Sequence, residues 1–232
     1  MAGRSLALAS YVAAAVLSGA AAVSFGQERA FPAEAAGREE AARLMNELMT
    51  DKPVGGPFTL TDAEGRRRSL ASFRGKVVLL YFGYTYCPDV CPTDLLEIAR
   101  LMKAMGRDAA KLQPLFVTLD PERDTPQVLR AYAAAFHPRL IALTGSVEEV
   151  RKVATSWKTW FGKVQPPDGR PYLIDHTAFT YLIDREGKYL AYFPPGTSGE
   201  RMAELVREVL SGALVATPRQ GSATTRAKAS PS

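Results

Sequence analysis

The sequence contains few of the side chains that bind metals or carry out thiol chemistry. It has two cysteines and two histidines in 232 residues, so these four residues are almost the only candidates for a thiol site or a soft-metal site. It also lacks a concentrated basic face, since most of the net charge of +5 comes from Arg4 and from three basic residues beyond Gly212. Nucleic-acid binding is therefore not expected, because it requires clustered lysine and arginine.

Neither repeats nor a long low-complexity stretch dominate the chain. Hydrophobic residues make up 47% of it and charged residues 23%, which is typical of a globular protein and excludes a disordered, collagenous or repeat protein. A chain of this length has room for one well-buried domain with appendages, or for two small domains.

The two ends differ in composition from the rest of the chain. Residues Leu6 to Phe25 carry no charge and follow Arg4, which predicts a membrane anchor or a cleaved export signal within residues 1–26. Both interpretations place the bulk of the chain outside the cytoplasm. Residues 27–52 are predicted to be a linker or amphipathic helix, and residues 213–232, which are rich in small and polar side chains, a disordered tail.

Residues 53–212 alternate short apolar runs with amphipathic stretches, which predicts an α/β domain. The order of elements is that of a thioredoxin-like three-layer sandwich with an N-terminal hairpin extension, and we expect its sheet to be mainly parallel. Strands are predicted at 76–84, 112–120 and 140–143, hairpins around 62–65 and 184–187, and helices at 92–105, 126–136, 146–161 and 199–210. Trp157 and Trp160 are predicted to pack in the core.

The two cysteines lie four residues apart, immediately after the predicted strand that ends at Tyr84. If a helix begins here, Cys87 and Cys91 share one of its faces, and its N-terminus lowers thiol pKa values. A permanent disulfide, a redox dithiol and a two-sulfur metal site are all chemically available. A permanent disulfide is disfavoured because so short a loop removes little chain entropy.

His176 is the best candidate for a third ligand. In a thioredoxin-like sheet the loop that carries it faces the cysteines, and Ala178 occupies the position where thioredoxins have a cis-proline. Two thiolates and one imidazole suit Cu(I) and can also bind Cu(II), whereas structural zinc prefers a fourth ligand and iron–sulfur clusters need more thiolates. We therefore predict a copper site of Cys87, Cys91 and His176, with His137 in a structural role.

Three segments of the chain resemble the SCO/SenC family of copper-binding, thioredoxin-like proteins, and the resemblance covers residues 53–212. They are FGYTYCPDVCPTDL (82–95), LDPERDTPQVLRAYAAAF (119–136) and DHTAFTYLIDREGKYLAYF (175–193). The resemblance implies that Cys87, Cys91 and His176 bind one copper ion for assembly of the binuclear copper centre in cytochrome c oxidase subunit II. In that family the domain is membrane-tethered and faces the bacterial periplasm or the mitochondrial intermembrane space. For this chain we expect a single N-terminal anchor in the bacterial inner membrane with the domain facing the periplasm, and secretion to the periplasm is the alternative if the N-terminal segment is cleaved.

The predicted activity is that of a metallochaperone rather than an enzyme. A periplasmic thioredoxin-like reductase would have to reduce the cysteine pair after each oxidation. One alternative is a thiol-disulfide oxidoreductase that acts on the oxidase subunit, although such enzymes usually have two residues between their cysteines and this chain has three. Another is a copper or redox sensor with the same ligands.

Expectations for the residues around the site come from local sequence alone. We expect Asp120 and Asp124 to lie in a loop near the two cysteines. Asp124 is expected to cap the helix that begins at Pro126, with partner docking as its alternative role. Asp175 is expected to orient His176. Arg123 is expected to be solvated.

Overall fold

The structure is a computed structural model and describes residues 54–212. The predicted anchor or signal (1–26), linker (27–52) and tail (213–232) lie outside these residues. Within residues 54–212, none of the helices has both the length and the apolar character needed to cross a bilayer.

The described part of the chain forms nine β-strands and four α-helices. In chain order they are β1 (Thr59–Asp62), β2 (Arg67–Ser69), β3 (Val77–Gly83), α1 (Val90–Ala104), β4 (Leu112–Thr118), α2 (Pro126–Phe136), β5 (Ile141–Thr144), α3 (Val147–Ser156), β6 (Phe161–Val164), β7 (Leu173–His176), β8 (Thr180–Ile183), β9 (Tyr189–Phe193) and α4 (Gly199–Ser211). The predicted α/β class is confirmed.

Seven of the strands form one central sheet in the order β2-β1-β5-β4-β3-β8-β9. Every residue of β3 is buried, because β3 lies in the interior of the sheet, between β4 and β8. This position explains the unbroken apolar run in the sequence. The prediction of a mainly parallel sheet is wrong: only the β3–β4 and β4–β5 pairs are parallel, and the two hairpins add antiparallel strands at both edges.

The helix predicted at 146–161 ends five residues early, at Ser156. Its start is as expected, since Ser146 and Glu149 form a capping box. After Trp157 the chain turns through Lys158, whose φ of 55° is left-handed. Trp157 is fully buried, as predicted, between the rings of Phe58 and Tyr181, whereas Trp160 is only partly buried.

The sequence patterns gave no sign of strands β6 and β7. These two strands pair antiparallel as a separate two-stranded sheet, with Phe161 opposite His176. Each has only four residues, which are mostly half-buried, so neither shows the alternation that identifies a strand. Their pairing places His176 at the end of a strand rather than in a loop.

Helix α1, which begins close to the cysteines, is held against the start of α4. Asp94 and Glu97 of α1 accept hydrogen bonds from the backbone N–H groups of Gly196 and Gly199, each at 2.8 Å. The two helices approach so closely that a Cβ at Gly199 would lie 2.5 Å from the Glu97 carbonyl oxygen and 2.6 Å from the Leu101 nitrogen. Glycine at position 199 is therefore required for this contact.

Replacing Gly199 by alanine should lower the free energy of unfolding by about 1–3 kcal/mol, because the added methyl group meets backbone atoms that cannot rotate away. Urea denaturation of the reduced protein measures the change. Glu204→Ala, which alters an exposed residue of the same helix, should change it by no more than about 0.5 kcal/mol. Equal stability of Gly199→Ala and wild type would show that the two helices are not packed so closely.

Candidate metal centre

The chain turns from strand β3 into helix α1 through the segment that carries both cysteines. Cys91 is in the first turn of α1 and is fully buried, whereas Cys87 precedes the helix and is partly exposed. The Asp89 side chain makes no capping hydrogen bond, and the backbone N–H of Cys91 instead donates to Cys87 Sγ at 3.4 Å. The sulfur of Cys87 thus receives a first-turn N–H that a capping oxygen would otherwise bind.

His176 reaches the same point from the end of β7. Its Nε2 lies 3.3 Å from Cys91 Sγ, and its Nδ1 lies 3.3 Å from the Thr177 carbonyl oxygen. The sulfur atoms of Cys87 and Cys91 and a ring nitrogen of His176 all lie within 4.8 Å of one another. Both cysteines are free thiols. The structure therefore brings together the three predicted ligands.

Aromatic rings and a glycine enclose the site on its inner side. The rings of Tyr81 and Tyr84 meet the His176 imidazole edge to face, with centroids 6.5 and 6.1 Å away. A Cβ at Gly83 would lie only 2.9 Å from Cys91 Sγ and 3.1 Å from the rings of Phe116 and Tyr81. The missing side chain of Gly83 therefore leaves the space that the Cys91 thiol occupies, a role that the motif alone did not reveal.

The pKa values of the two thiols are shifted in opposite directions. Hydrogen bonds from Cys91, His176 and the backbone N–H groups of Asp89 and Cys91 lower the pKa of Cys87 to about 4, although burial opposes them. The pKa of Cys91 is raised by its hydrogen bond to Cys87, by burial and by the charge of Cys87. The pair therefore loses its first proton easily, from Cys87, and holds its second.

Two expectations about neighbouring carboxylates are wrong. Asp175 is exposed and does not orient His176, because adjacent residues of a strand point to opposite faces, and the Thr177 carbonyl oxygen contacts the ring instead. Asp124 does not cap α2, since the Thr125 hydroxyl oxygen accepts the hydrogen bond from the Val128 N–H. Asp124 is buried and accepts hydrogen bonds from elsewhere.

Two further charged residues near the site, Arg123 and Asp94, are not surrounded by solvent. The Arg123 guanidinium stacks 3.7 Å from the Tyr172 ring centroid, so the expectation that it is solvated is wrong. Asp94 lies one turn after Cys91 on the same helix and is buried, which raises the pKa of its carboxyl. Its spacing from Cys91 could have been noticed in the sequence, whereas the stacking of Arg123 depends on a distant tyrosine.

The second histidine lies apart from this cluster. His137 ends helix α2, and its Nδ1 accepts a hydrogen bond from the Arg139 N–H at 3.1 Å. The structure thus agrees with the structural role predicted for it.

Comparison with known proteins identifies the family. The model of the SCO1/SenC family matches residues 46–211, which include all three residues of the cluster. This chain belongs to the SCO1/SenC family. Among the curated family members, the SCO2-like protein of Rickettsia prowazekii is 39% identical over 155 residues, which cover 66% of this chain and 76% of that protein.

Solved structures of the family show the same fold. The copper-bound structure of Bradyrhizobium japonicum ScoI is 43% identical, with a TM-score of 0.62 over 67% of this chain and 99% of that one. BsSco, a member of the Sco family of cytochrome c oxidase assembly proteins in which a disulfide switch was identified, is 25% identical, with a TM-score of 0.53 over 70% and 98%. The predicted thioredoxin-like fold and the predicted family are confirmed.

The acidity of Cys87 predicts an unusual pH profile for its alkylation. In the reduced protein without metal, the rate of reaction of Cys87 with iodoacetamide should be nearly constant between about pH 6 and 8, because a thiol with a pKa of about 4 is already ionised there. In Cys91→Ala, which removes the main hydrogen bond to Cys87, the rate should rise with pH. Peptide mass spectrometry follows the Cys87 site, and a wild-type rate that rises about tenfold per pH unit would contradict a lowered pKa.

Proposed function

We propose that this protein is a copper metallochaperone that binds one copper ion through Cys87, Cys91 and His176 and delivers it to cytochrome c oxidase. The observation that carries the proposal is the convergence of two sulfur atoms and one imidazole nitrogen within 4.8 Å. Copper as the cofactor is supported by this group and by the copper-bound structures of related proteins. The assembly role is supported by membership of a family that includes cytochrome c oxidase assembly proteins.

The donor atoms fit copper better than other metals. Thiolate sulfur is a soft ligand, and Cu(I) accepts a low coordination number with soft ligands. Within residues 54–212, the cluster offers two cysteines and one histidine and no further His, Cys, Asp or Glu ligand, whereas structural zinc prefers four. Imidazole also binds Cu(II), so the same three residues suit both oxidation states.

The arrangement of the ligands suits a carrier that receives and gives up its cargo. Tyr81, Tyr84 and Gly83 close the inner side around Cys91 and His176, and Cys87 remains partly exposed. Thiolates of an acceptor can approach from the exposed side and replace the ligands of this chain one at a time. Copper then passes between the proteins without release into solvent. We propose that the acceptor is subunit II of the oxidase and that its binuclear copper centre is the destination.

Metal binding by this site depends on the oxidation state of its cysteines. When Cys87 and Cys91 form a disulfide, the two sulfur atoms give two electrons to an external oxidant such as another protein's disulfide, Cys91 gives up its one remaining proton, and both thiolate ligands disappear. A periplasmic thioredoxin-like reductase can reverse this by thiol-disulfide exchange, in which its own dithiol becomes a disulfide. The disulfide switch identified in BsSco supports a redox gate of this kind.

We also propose a location for this activity: the domain faces the periplasm and is tethered to the inner membrane through residues 1–26.

A second candidate function is thiol-disulfide oxidoreduction on the cysteines of the oxidase subunit. The lowered pKa of Cys87 and its partial exposure favour it, because a stable, accessible thiolate is the attacking group in disulfide exchange. This activity needs Cys87 and Cys91 but does not need His176. The histidine therefore distinguishes the two functions.

Titration of the reduced protein with Cu(I) under anaerobic conditions, against a competing chelator, tests the proposal. Wild type should bind one equivalent, and His176→Ala and Cys87→Ser should each bind more than about tenfold more weakly, a loss of about 1.4 kcal/mol or more. His137→Ala is the matched control and should bind like wild type, because that imidazole ends a helix away from the cluster.

The contrary result would change the assignment. If His176→Ala binds copper as tightly as wild type, or wild type binds it only weakly, the three-ligand carrier is wrong. Retention of disulfide-reducing activity by His176→Ala together with such a result would favour the oxidoreductase.

A further inference from the structure

The loop between β4 and α2, residues Asp120–Asp124, contacts both segments that carry the copper ligands. One segment runs from Thr85 to Cys91 and bears the two cysteines. The other runs from Tyr172 to His176 and bears the histidine. These two segments are far apart in the sequence, since Cys91 and His176 are separated by 85 positions, and the loop lies between them in the chain.

Asp124 fixes the start of the cysteine segment. Its carboxylate accepts hydrogen bonds from the Thr85 N–H at 3.1 Å and from the hydroxyl groups of Thr85 and Thr118, each at 2.5 Å. Asp124 is only 1% exposed, and a carboxylate buried to this extent is stable in its place only when such donors surround it. Thr85 is two residues before Cys87, so these hydrogen bonds set where the chain begins its turn toward the copper ligands.

Arg123 and Asp120 fix the start of the histidine segment. Arg123 donates from Nη1 to the Tyr172 carbonyl oxygen at 2.8 Å and from Nε to the carboxylate of Asp120. Asp120 also accepts a hydrogen bond from the Tyr172 hydroxyl at 2.9 Å. Backbone and side chain of Tyr172 are therefore both bound, four residues before His176.

The Arg123 guanidinium also lies between the two segments. Its Cζ is 3.7 Å from the ring centroid of Tyr172 in the histidine segment, and 5.0 Å from that of Tyr86, next to Cys87. A planar cation stacks on aromatic faces in a way that an ammonium group does not reproduce. The Arg123 side chain thus contacts both Tyr86, which is next to Cys87, and Tyr172, which begins the segment that carries the histidine.

We infer that residues Asp120–Asp124 act as a bracket that sets the distance between Cys87 and His176, with Asp124 and Arg123 as positioning residues of the copper site. The inference rests on the proposed copper binding. Asp124 acts through the cysteine segment, and Arg123 acts mainly through the histidine segment. Loss of either contact loosens one ligand while leaving all three ligand side chains in the protein. Outer-shell contacts of this kind change metal affinity by about 10–100-fold.

Cu(I) affinities in two double-mutant cycles test the bracket in the full chain. Arg123→Ala should weaken binding about tenfold in wild type and have little effect in the His176→Ala background, because no imidazole remains to be positioned. Asp124→Asn should weaken binding about tenfold in wild type and in His176→Ala, but have little effect in the Cys87→Ser background. Arg139→Ala is the matched control, since Arg139 is a partly buried arginine that donates to carbonyl oxygens of Ala110 and Leu112, away from the site.

Losses that are equal in all backgrounds, or no loss in either variant, would overturn the inference. Urea unfolding of each variant shows whether it is folded. If Arg123→Ala is not folded, Tyr172→Phe replaces it, because it keeps the stacked ring and loses only the hydrogen bond to Asp120. The expected pattern is the same with a smaller loss.

NMR of the reduced, metal-free protein separates a failure of the bracket from a failure of copper binding. Arg123→Ala should shift the imidazole resonances of His176, and Asp124→Asn should shift the amide resonances of Thr85 and Cys87. These shifts are expected even if wild type binds no copper. Unchanged resonances in both variants would overturn the bracket whether or not copper binds.

Discussion

The structure depends on bringing one imidazole nitrogen to two sulfur atoms that are far from it in the sequence. The antiparallel pairing of β3 with β8 achieves this, since it places Tyr81 opposite Thr180. After Tyr81 the chain continues into the segment that carries Cys87 and Cys91. His176 lies four residues before Thr180, so both parts of the cluster lie close to this strand pair. Central strands are buried on both faces and cannot shift without exposing apolar side chains, so the buried middle of the sheet determines where the three clustered side chains lie.

The site combines a closed inner side with an open outer one. Cys91 is buried in the space left by Gly83, and His176 is held between tyrosine rings and the Thr177 carbonyl oxygen. Cys87 has the lower pKa and the greater exposure. The candidate ligand that meets solvent is thus already a thiolate near neutral pH, a condition that suits both metal binding and exchange with a partner.

Much of the fold could be predicted from local patterns. The helix at Pro126–Phe136 agrees with the prediction residue for residue, and the long apolar runs became the central strands β3 and β4. The helix after Ser146 was predicted too long because Trp157 and Phe161 continue its apolar spacing. Trp157 packs in the core just after the helix ends, and Phe161 begins β6. Strands β6 and β7 were missed because each is short and stabilised by its pairing rather than by its own pattern.

The candidate ligands could be predicted because the chain has so few cysteines and histidines. The residues that support them could not. Asp124 precedes a helix with a proline in its first turn, and only the distant Thr85 shows that its carboxylate serves another segment. Arg123 resembles any solvated arginine until the fold places Tyr172 beside it. Such contacts depend on residues that are far apart in sequence and leave no local signal.

The most direct test of the account is X-ray absorption spectroscopy of the reduced protein loaded with one equivalent of Cu(I). The spectrum should show a low-coordinate copper ion bound by two sulfur atoms and one imidazole nitrogen, and the imidazole scattering should be lost in His176→Ala. A copper ion bound by sulfur alone in wild type, or a spectrum that is unchanged in His176→Ala, would contradict it.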